Sequence, residues 1–410
     1  MRSSEMVGLG RLAGDGLGRS GAAIGEVHRA IAGRVFGALG VLGLPVRFVH
    51  DGIVTVAYGG VRGAMRLIPR AAVAPVARAL PPTARAMADS PAGSLALGAL
   101  NGVLGDRLLA SNPDLALELT VRHRGHAVET DSEGLRRAFP DAGPRLAVFL
   151  HGLCETEGAW RMGSAPPFGA RLRDDLGYTP LYVRYNTGLH ISDNGRRLSE
   201  VLDAVVKAWP VDVAEVVLIG HSMGGLVARS ACHYGECDGA GWVGAVRHVF
   251  CLGAPHLGAP LEKAANAAGW ALTRLPETRP FGAMVNARSA GIKDLRFGSC
   301  VEEDWCDCDP DEFMRDRCTE VPFLRTATYY FIGATVSRRP DDPLGVVVGD
   351  LLVTFPSASG NGRGRRIPFE IDNGRHVGGM THFGLLSHPS VYEEIRAWLE
   401  QKALAELPAA

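Results

Sequence analysis

The chain reads as an α/β protein: a mostly parallel sheet with helices on both faces, a cap or lid insertion, and an extra N-terminal helical region. Three observations predict this. The short apolar runs Leu146–Leu150, Val216 to Ile219 and Val246–Leu252 have the length and β-branched content of strands buried on both faces. Helical spacing separates them, as at Leu198, Val201, Leu202, Val205 and Trp209. Each run ends in a glycine-bearing turn, at Gly152, Gly220 and Gly253, and the carboxyl ends of parallel strands are where such sheets build their sites.

At 410 residues the chain has room for two domains or one large domain with insertions. A net charge of −1 provides no basic field for nucleic acid. The charge is uneven: residues 1–115 hold twelve Arg against seven acidic residues, a balance of +5 that leaves −6 for the remainder. Met1–Gly25 lacks the continuous apolar core of a secretory signal, and no run reaches the roughly 18 apolar residues of a membrane span. The expectation is a cytoplasmic protein, soluble or peripherally attached to a membrane.

The domain reading places a Gly/Ala-rich helical region at 1–115 and the catalytic domain at 116–410, with the lid insertion at about 259–325. Ile24, Val27, Ile31, Val35, Leu39 and Leu42 fall at helical spacing. Pro45 ends or kinks this helix, and a second is expected over Val54–Leu67, before breaks at Pro69, Pro75 and Pro81-Pro82. Met1–Gly21 could form a disordered tail. Two roles stay open for the helices: packing on the catalytic domain or in a homodimer, or lying on a membrane surface, since Arg29 and Arg34 flank the apolar stripe.

From Leu115 the rhythm becomes alternating. A hairpin is expected over Leu115–Arg122 and Ala127–Thr130, then the Leu146–Leu150 strand, a strand at Pro180–Tyr185, the Leu198–Trp209 helix, the strand at Val216, a further helix, and the Val246–Leu252 strand. Alternation stops between Ala259 and Arg325, where Trp270, Phe281, Met284 and Trp305 sit among charges and prolines, as suits a cap over the strand ends. Strand pattern returns at Thr328–Ile332. A segment Val346–Val353, a strand at Ile367–Ile371, a loop over Gly374–His388 and a helix from Ser390 to Leu404 close the chain.

The chemistry centres on Gly220-His221-Ser222-Met223-Gly224. A serine on a sharp strand-to-helix turn needs bulk-free neighbours two residues to either side, which this stretch supplies. A serine hydroxyl needs a base to take its proton, and the base needs an acid to orient it; on this kind of turn both follow the serine in the chain, acid first. Six of the thirteen histidines follow Ser222. His382, in a loop before the terminal helix, is the favoured base over His376 and over His388, which adjoins Pro389 and reads as a helix cap. Asp350 is the favoured acid over Asp341, Asp342 and Asp372. The oxyanion donors are expected from the backbone N–H of Met223 and of Leu153, the latter in the turn after the Leu146–Leu150 strand. His151 reads as a residue that orders this turn. Cys300, Cys306, Cys308 and Cys318 have no tidy paired spacing, and a zinc site, two disulfides and free thiols all remain open.

FLHGL (149–153), GHSMGG (220–225), LGAPHLGAP (252–260), VGDLLV (348–353) and THFGLL (381–386) together resemble a lipase or esterase of the α/β-hydrolase superfamily over about residues 118–403. The Gly-Ala-Pro-His-x-Gly loop is similar to that of lipase-like members, including the inositol-deacylase-like group. The resemblance implies a Ser222–Asp350–His382 triad, an acyl-enzyme, and no cofactor or metal. A serine hydrolase of small-molecule or lipid esters is thus the expected function. The alternatives are a thioesterase or amidase with the same triad, or a hydrolase-fold interaction protein docked on a membrane.

Overall fold

The computed structural model describes residues 1–40, 44–81, 83–163, 165–339, 342 and 348–405. Two long helices, α1 (Ser3–Leu39) and α2 (Leu44–Ala79), form an antiparallel hairpin, and α3 (Pro91–Ser111) follows. Next come β1 (Thr120–His123), β2 (His126–Val128), α4 (Ser132–Ala138), β3 (Arg145–Leu150), α5 (Phe168–Leu176), β4 (Thr179–Arg184) and α6 (Ile191–Ala208). Then β5 (Glu215–His221), α7 (Met223–Cys237) and β6 (Val246–Leu252) lead into cap helices α8 (Pro260–Leu272), α9 (Arg279–Asn286) and α10 (Ala290–Asp294). The chain closes with β7 (Thr328–Thr335), a single helical turn Phe355–Ala358, β8 (Gly374–Gly378) and the terminal helix Pro389–Ala405.

The eight strands form one sheet in the order β2-β1-β4-β3-β5-β6-β7-β8. The β1–β2 and β1–β4 pairs are antiparallel; the others are parallel. The apolar runs divide by parity between two cores, because successive strand residues point to opposite faces. Val216 and Leu218 join α6 and α7 on one face, whereas Val217 and Ile219 join Phe168, Leu172 and the terminal helix on the other. Register levels Leu150 with Gly220 and Gly220 with Cys251, so the turns after β3, β5 and β6 emerge side by side.

Several expectations about the chain ends are corrected. Residues 3–21 are helical, not a tail. α2 starts at Leu44, with Pro45 in the first turn, where its missing N–H costs nothing, and runs through Pro69 and Pro75. Contact with α1 along its length offsets the roughly 3 kcal/mol that an interior proline costs. The face of α1 that packs is also not the apolar one. Ile24, Ile31 and Val35 are exposed, while Gly10, Gly14, Gly18, Gly21 and Gly25 meet α2; a Cβ at Gly14 would lie 2.4 Å from the Arg66 carbonyl oxygen. Leu42 lies outside the described residues.

Near the other end, Ile367–Ile371 is not a strand. The eighth strand is Gly374–Gly378, inside the stretch expected to be a loop. Ile367 is buried under neighbouring loops but Ile371 is exposed, so the alternation there does not face a sheet. Of the expected segment Val346–Val353, residues 346 and 347 lie outside the described residues, as does Asp341; residues 350–353 form a turn.

Replacing Gly14 by valine should force α1 and α2 apart at a cost of about 1–3 kcal/mol. Gly16→Ala, at an exposed position with open space around it, should stabilise the hairpin by about 0.5–1 kcal/mol. Urea unfolding followed by helical circular dichroism, with limited trypsin digestion of the hairpin, reads both. Shifts of the same sign would contradict glycine-mediated packing.

Candidate active site

β5 delivers Ser222 at φ 53° and ψ −122°, and α7 starts at the next residue. The turn is held by the Ser222 N–H donating to the Leu252 carbonyl at 2.8 Å and by the Gly225 N–H donating to the Ser222 carbonyl at 3.0 Å. A Cβ at Gly220 would come within 2.4 Å of the Gly224 backbone, and one at Gly224 within 2.4 Å of the Leu150 carbonyl oxygen, so both positions demand glycine.

The turn after β7 and the turn after β8 bring Asp350 and His382 together. His382 Nδ1 lies 2.7 Å from Asp350 Oδ2, with both side chains buried. Asp350 Oδ1 accepts the N–H groups of Leu352 at 3.0 Å and Val353 at 2.8 Å, and the Asp350 carbonyl accepts the His382 N–H at 3.0 Å. A carboxylate accepts only, so Nδ1 carries the proton and Nε2 keeps its lone pair. Nε2 is buried without a hydrogen-bond partner, Ser222 included. His382 belongs to a short turn, His382–Leu386, and Gly253 leaves room for it: a Cβ there would lie 3.1 Å from the imidazole.

Ser222 and His382 line one cavity of about 320 Å³ with Leu153, Leu261, Ile292 and Phe383 among its walls. The lining is mostly apolar. Its charged members are neutralised: Arg288 grips Glu262 at 2.6 and 2.7 Å, and Arg296 adds a contact at 3.2 Å. The N–H groups of Leu153 and Met223 make no hydrogen bond among the described residues. That of Met223 is an orphan of the first turn of α7, where the helix dipole favours negative charge.

The other candidates are placed elsewhere. His376 lies on β8, 2.7 Å from Thr335 Oγ1, and His388 caps the terminal helix through Ser390. Asp372 is exposed. His151 stacks on Tyr185 with ring centroids 4.3 Å apart; its Nδ1 donates to the Gly152 carbonyl and its Nε2 accepts the Tyr185 N–H, and burial lowers its pKa. The eight cysteines are free thiols in this structure, and no cluster suited to a metal occurs among the described residues.

Sequence reasoning missed Glu155 and His221. Glu155 Oε2 accepts the Gly152 N–H at 2.6 Å and lies 3.2 Å from His221 Nδ1, while His221 Nε2 lies 3.2 Å from the His382 carbonyl. Both neighbours of the His221 ring accept only, which favours its protonated form. Burial alone would lower its pKa, but the Glu155 charge and hydrogen bond, helped by the His382 carbonyl and Asp350, raise it. Burial would raise the Glu155 pKa, yet His221 and the Gly152 N–H bring it down to about 2. This ion pair ties the turn bearing Leu153, the serine turn and the backbone of His382 into one unit. The available signal was a glutamate three residues after Gly152 and a histidine beside the serine.

Residues 182–277, from β4 through the serine turn into the cap, match the family described as PGAP1-like alpha/beta domain. The fold is α/β: one eight-stranded, mostly parallel sheet with helices on both faces and an extra N-terminal helix pair. Among solved structures, the chain is similar to the Bacillus licheniformis lipase BlEst2 in mature form (20% identity, TM-score 0.43, 68% of this chain and 97% of that one). It is also similar to naproxen esterase (carboxylesterase NP) from Bacillus subtilis (14%, TM-score 0.34, 63% and 84%) and to EstA from Clostridium botulinum (13%, TM-score 0.38, 63% and 87%). No curated protein matches this chain in sequence.

The ion pair sets a pH window. The Glu155 contribution to stability is complete above the ordinary carboxylate value of 4.5 and is lost as pH falls toward about 2. That of His221 is complete below the ordinary 6.5 and is lost as pH rises through its raised value. Glu155→Gln removes both, so its melting-temperature deficit against the parent should be largest between pH 4.5 and 6.5. A deficit independent of pH would rule out the pair.

Proposed function

We propose that the protein is a serine carboxylic-ester hydrolase that acts on a hydrophobic acyl ester through an acyl-enzyme. The observation that carries this reading is the meeting, on one apolar cavity, of Ser222 at the strained turn and the Nε2 of His382, whose Nδ1 is held by Asp350.

In this mechanism the acyl group enters the cavity and its carbonyl carbon meets Ser222 Oγ. His382 Nε2 takes the hydroxyl proton as the C–O bond forms, and Asp350 stabilises the imidazolium. The carbonyl oxygen becomes an oxyanion that accepts from the N–H groups of Leu153 and Met223, a term worth about 3–4 kcal/mol per donor in related chemistry. His382 then gives its proton to the alcohol oxygen as the ester C–O bond breaks. Water, deprotonated by the same nitrogen, attacks the acyl-enzyme, releases the acid and restores Ser222. Because the wall residues Glu262 and Arg288 are paired with each other and Glu155 is paired with His221, the cavity suits an uncharged acyl chain.

Ser222→Ala should lower kcat for p-nitrophenyl ester hydrolysis by about 10³-fold or more, with little change in melting temperature. Asp350→Asn should lower it by roughly 10⁴-fold, through the wrong tautomer of His382. A Ser222→Ala variant that folds and turns over ester at the parental rate would overturn the mechanism. A series of esters of increasing acyl length, set against matched thioesters and amides, reads leaving-group and chain preference.

A further inference from the structure

We infer that the α1–α2 hairpin is a docking surface for an anionic lipid surface. The two helices are 37 and 36 residues long, about 55 Å each, and run antiparallel. On α1 the exposed apolar residues Leu17, Ile24, Ile31 and Val35 recur at seven- and four-residue spacing, so they form one line. On α2, Ile53, Val61, Ile68 and Val76 recur at seven- and eight-residue spacing and are likewise exposed.

The glycines of α1 fix which side faces α2, since Gly14 and Gly18 approach Arg66, Gly21 approaches Met65, and Gly25 approaches Tyr58. With about 100° between successive residues, the apolar lines of the two antiparallel helices then fall on the same broad side of the hairpin. The charged residues fall on the other side, as the Arg70–Asp15 bridge across the pair confirms. One face is therefore apolar for tens of ångströms and the opposite one is ionic.

The charge selects the occupant. Residues 1–79 carry ten arginines and four acidic residues, a balance of +6 in a chain whose total is −1. Arg2, Arg11, Arg19, Arg29, Arg62 and Arg78 are exposed and have no ion-pair partner among the described residues. A second copy of this hairpin would bring the same excess of positive charge to the contact, whereas phosphate headgroups neutralise it while acyl chains receive the isoleucines and valines. An arginine-rich polar face opposite an apolar one is the signature of a helix lying in the membrane interface. No helix among the described residues is long and apolar enough to cross a membrane, so the hairpin lies on the surface.

The catalytic body is coupled to this surface. Leu9 and Leu12 of α1 pack against the cluster that Leu97 and Leu108 of α3 form with Leu115, and α1 also touches α9. Arg34 bridges to Glu277 in the cap at 2.5 Å, and Glu5 accepts the Met87 N–H ahead of α3 at 2.8 Å. Lipid binding here stands apart from the proposed hydrolysis and is read without turnover.

Flotation of the full chain with vesicles of phosphatidylcholine containing about a third phosphatidylglycerol tests the inference. The parent protein should float with these vesicles, several-fold less with phosphatidylcholine alone, and less at high salt. Ile24→Glu with Ile68→Glu should lower the floated fraction by about tenfold while leaving circular dichroism unchanged. Ile24→Ser with Ile68→Ser, which adds no charge, should give an intermediate loss and carries the test if the glutamate pair misfolds. Absence of flotation by the parent, or equal flotation of parent and folded variants, would overturn the proposal. So would a parental dimer in sedimentation velocity that the substitutions split without any lipid binding.

Discussion

A serine at φ 53° and ψ −122° lies outside the backbone regions that an L-residue prefers, at a cost of roughly 1–3 kcal/mol, and much of the domain serves to hold it there. β5 is buried on both faces and cannot slide. β6 accepts the Ser222 N–H, and α7 begins at once, which fixes the far side of the turn. Gly220 and Gly224 are required because the turn closes so tightly that their Cβ positions are occupied by backbone. The same tightness places an unsatisfied helix N–H beside the hydroxyl, so the strain and the unsatisfied donor arise from one piece of geometry.

Buried charge around this turn is handled by strict pairing. Asp350 is matched by His382 and two N–H groups, Glu155 by His221 and the Gly152 N–H, and Glu262 by Arg288 and Arg296. An uncompensated charge at any of these positions would cost several kcal/mol. Once they are matched, what remains for a ligand is an apolar wall, two backbone N–H groups and one unpartnered nitrogen on His382. The cavity is mostly apolar, and the few charged groups on its wall are paired among themselves.

The strands from β3 to β7 were legible because burial on both faces leaves continuous apolar runs. Asp350 and His382, which the structure brings into contact, could be singled out because chain order limits the candidates after Ser222. β8 was not: its residues Gly374, Arg375, His376, Val377 and Gly378 form an incompletely buried edge with no apolar run, and the nearby Ile367–Ile371 imitates alternation while packing under loops. The Glu155–His221 pair was illegible for another reason. It joins residues 66 apart through a contact that no spacing rule encodes, and each residue alone reads as a loop or turn polar group.

The N-terminal helices show a different kind of failure. Periodicity locates a helix correctly but assumes that the apolar stripe is the packed one. In α1 the packed stripe is glycine, and in α3 Gly98, Gly102 and Gly105 press on Glu155, Cys154 and Asn186, so that helix backs the turn carrying Leu153. Where helices meet through glycine, backbones approach closely and dispersion between main chains replaces side-chain burial. The large side chains are then left over on the outside. The high glycine count, which looks like compositional bias, therefore holds contact information, and the exposed isoleucines of the hairpin are its direct consequence.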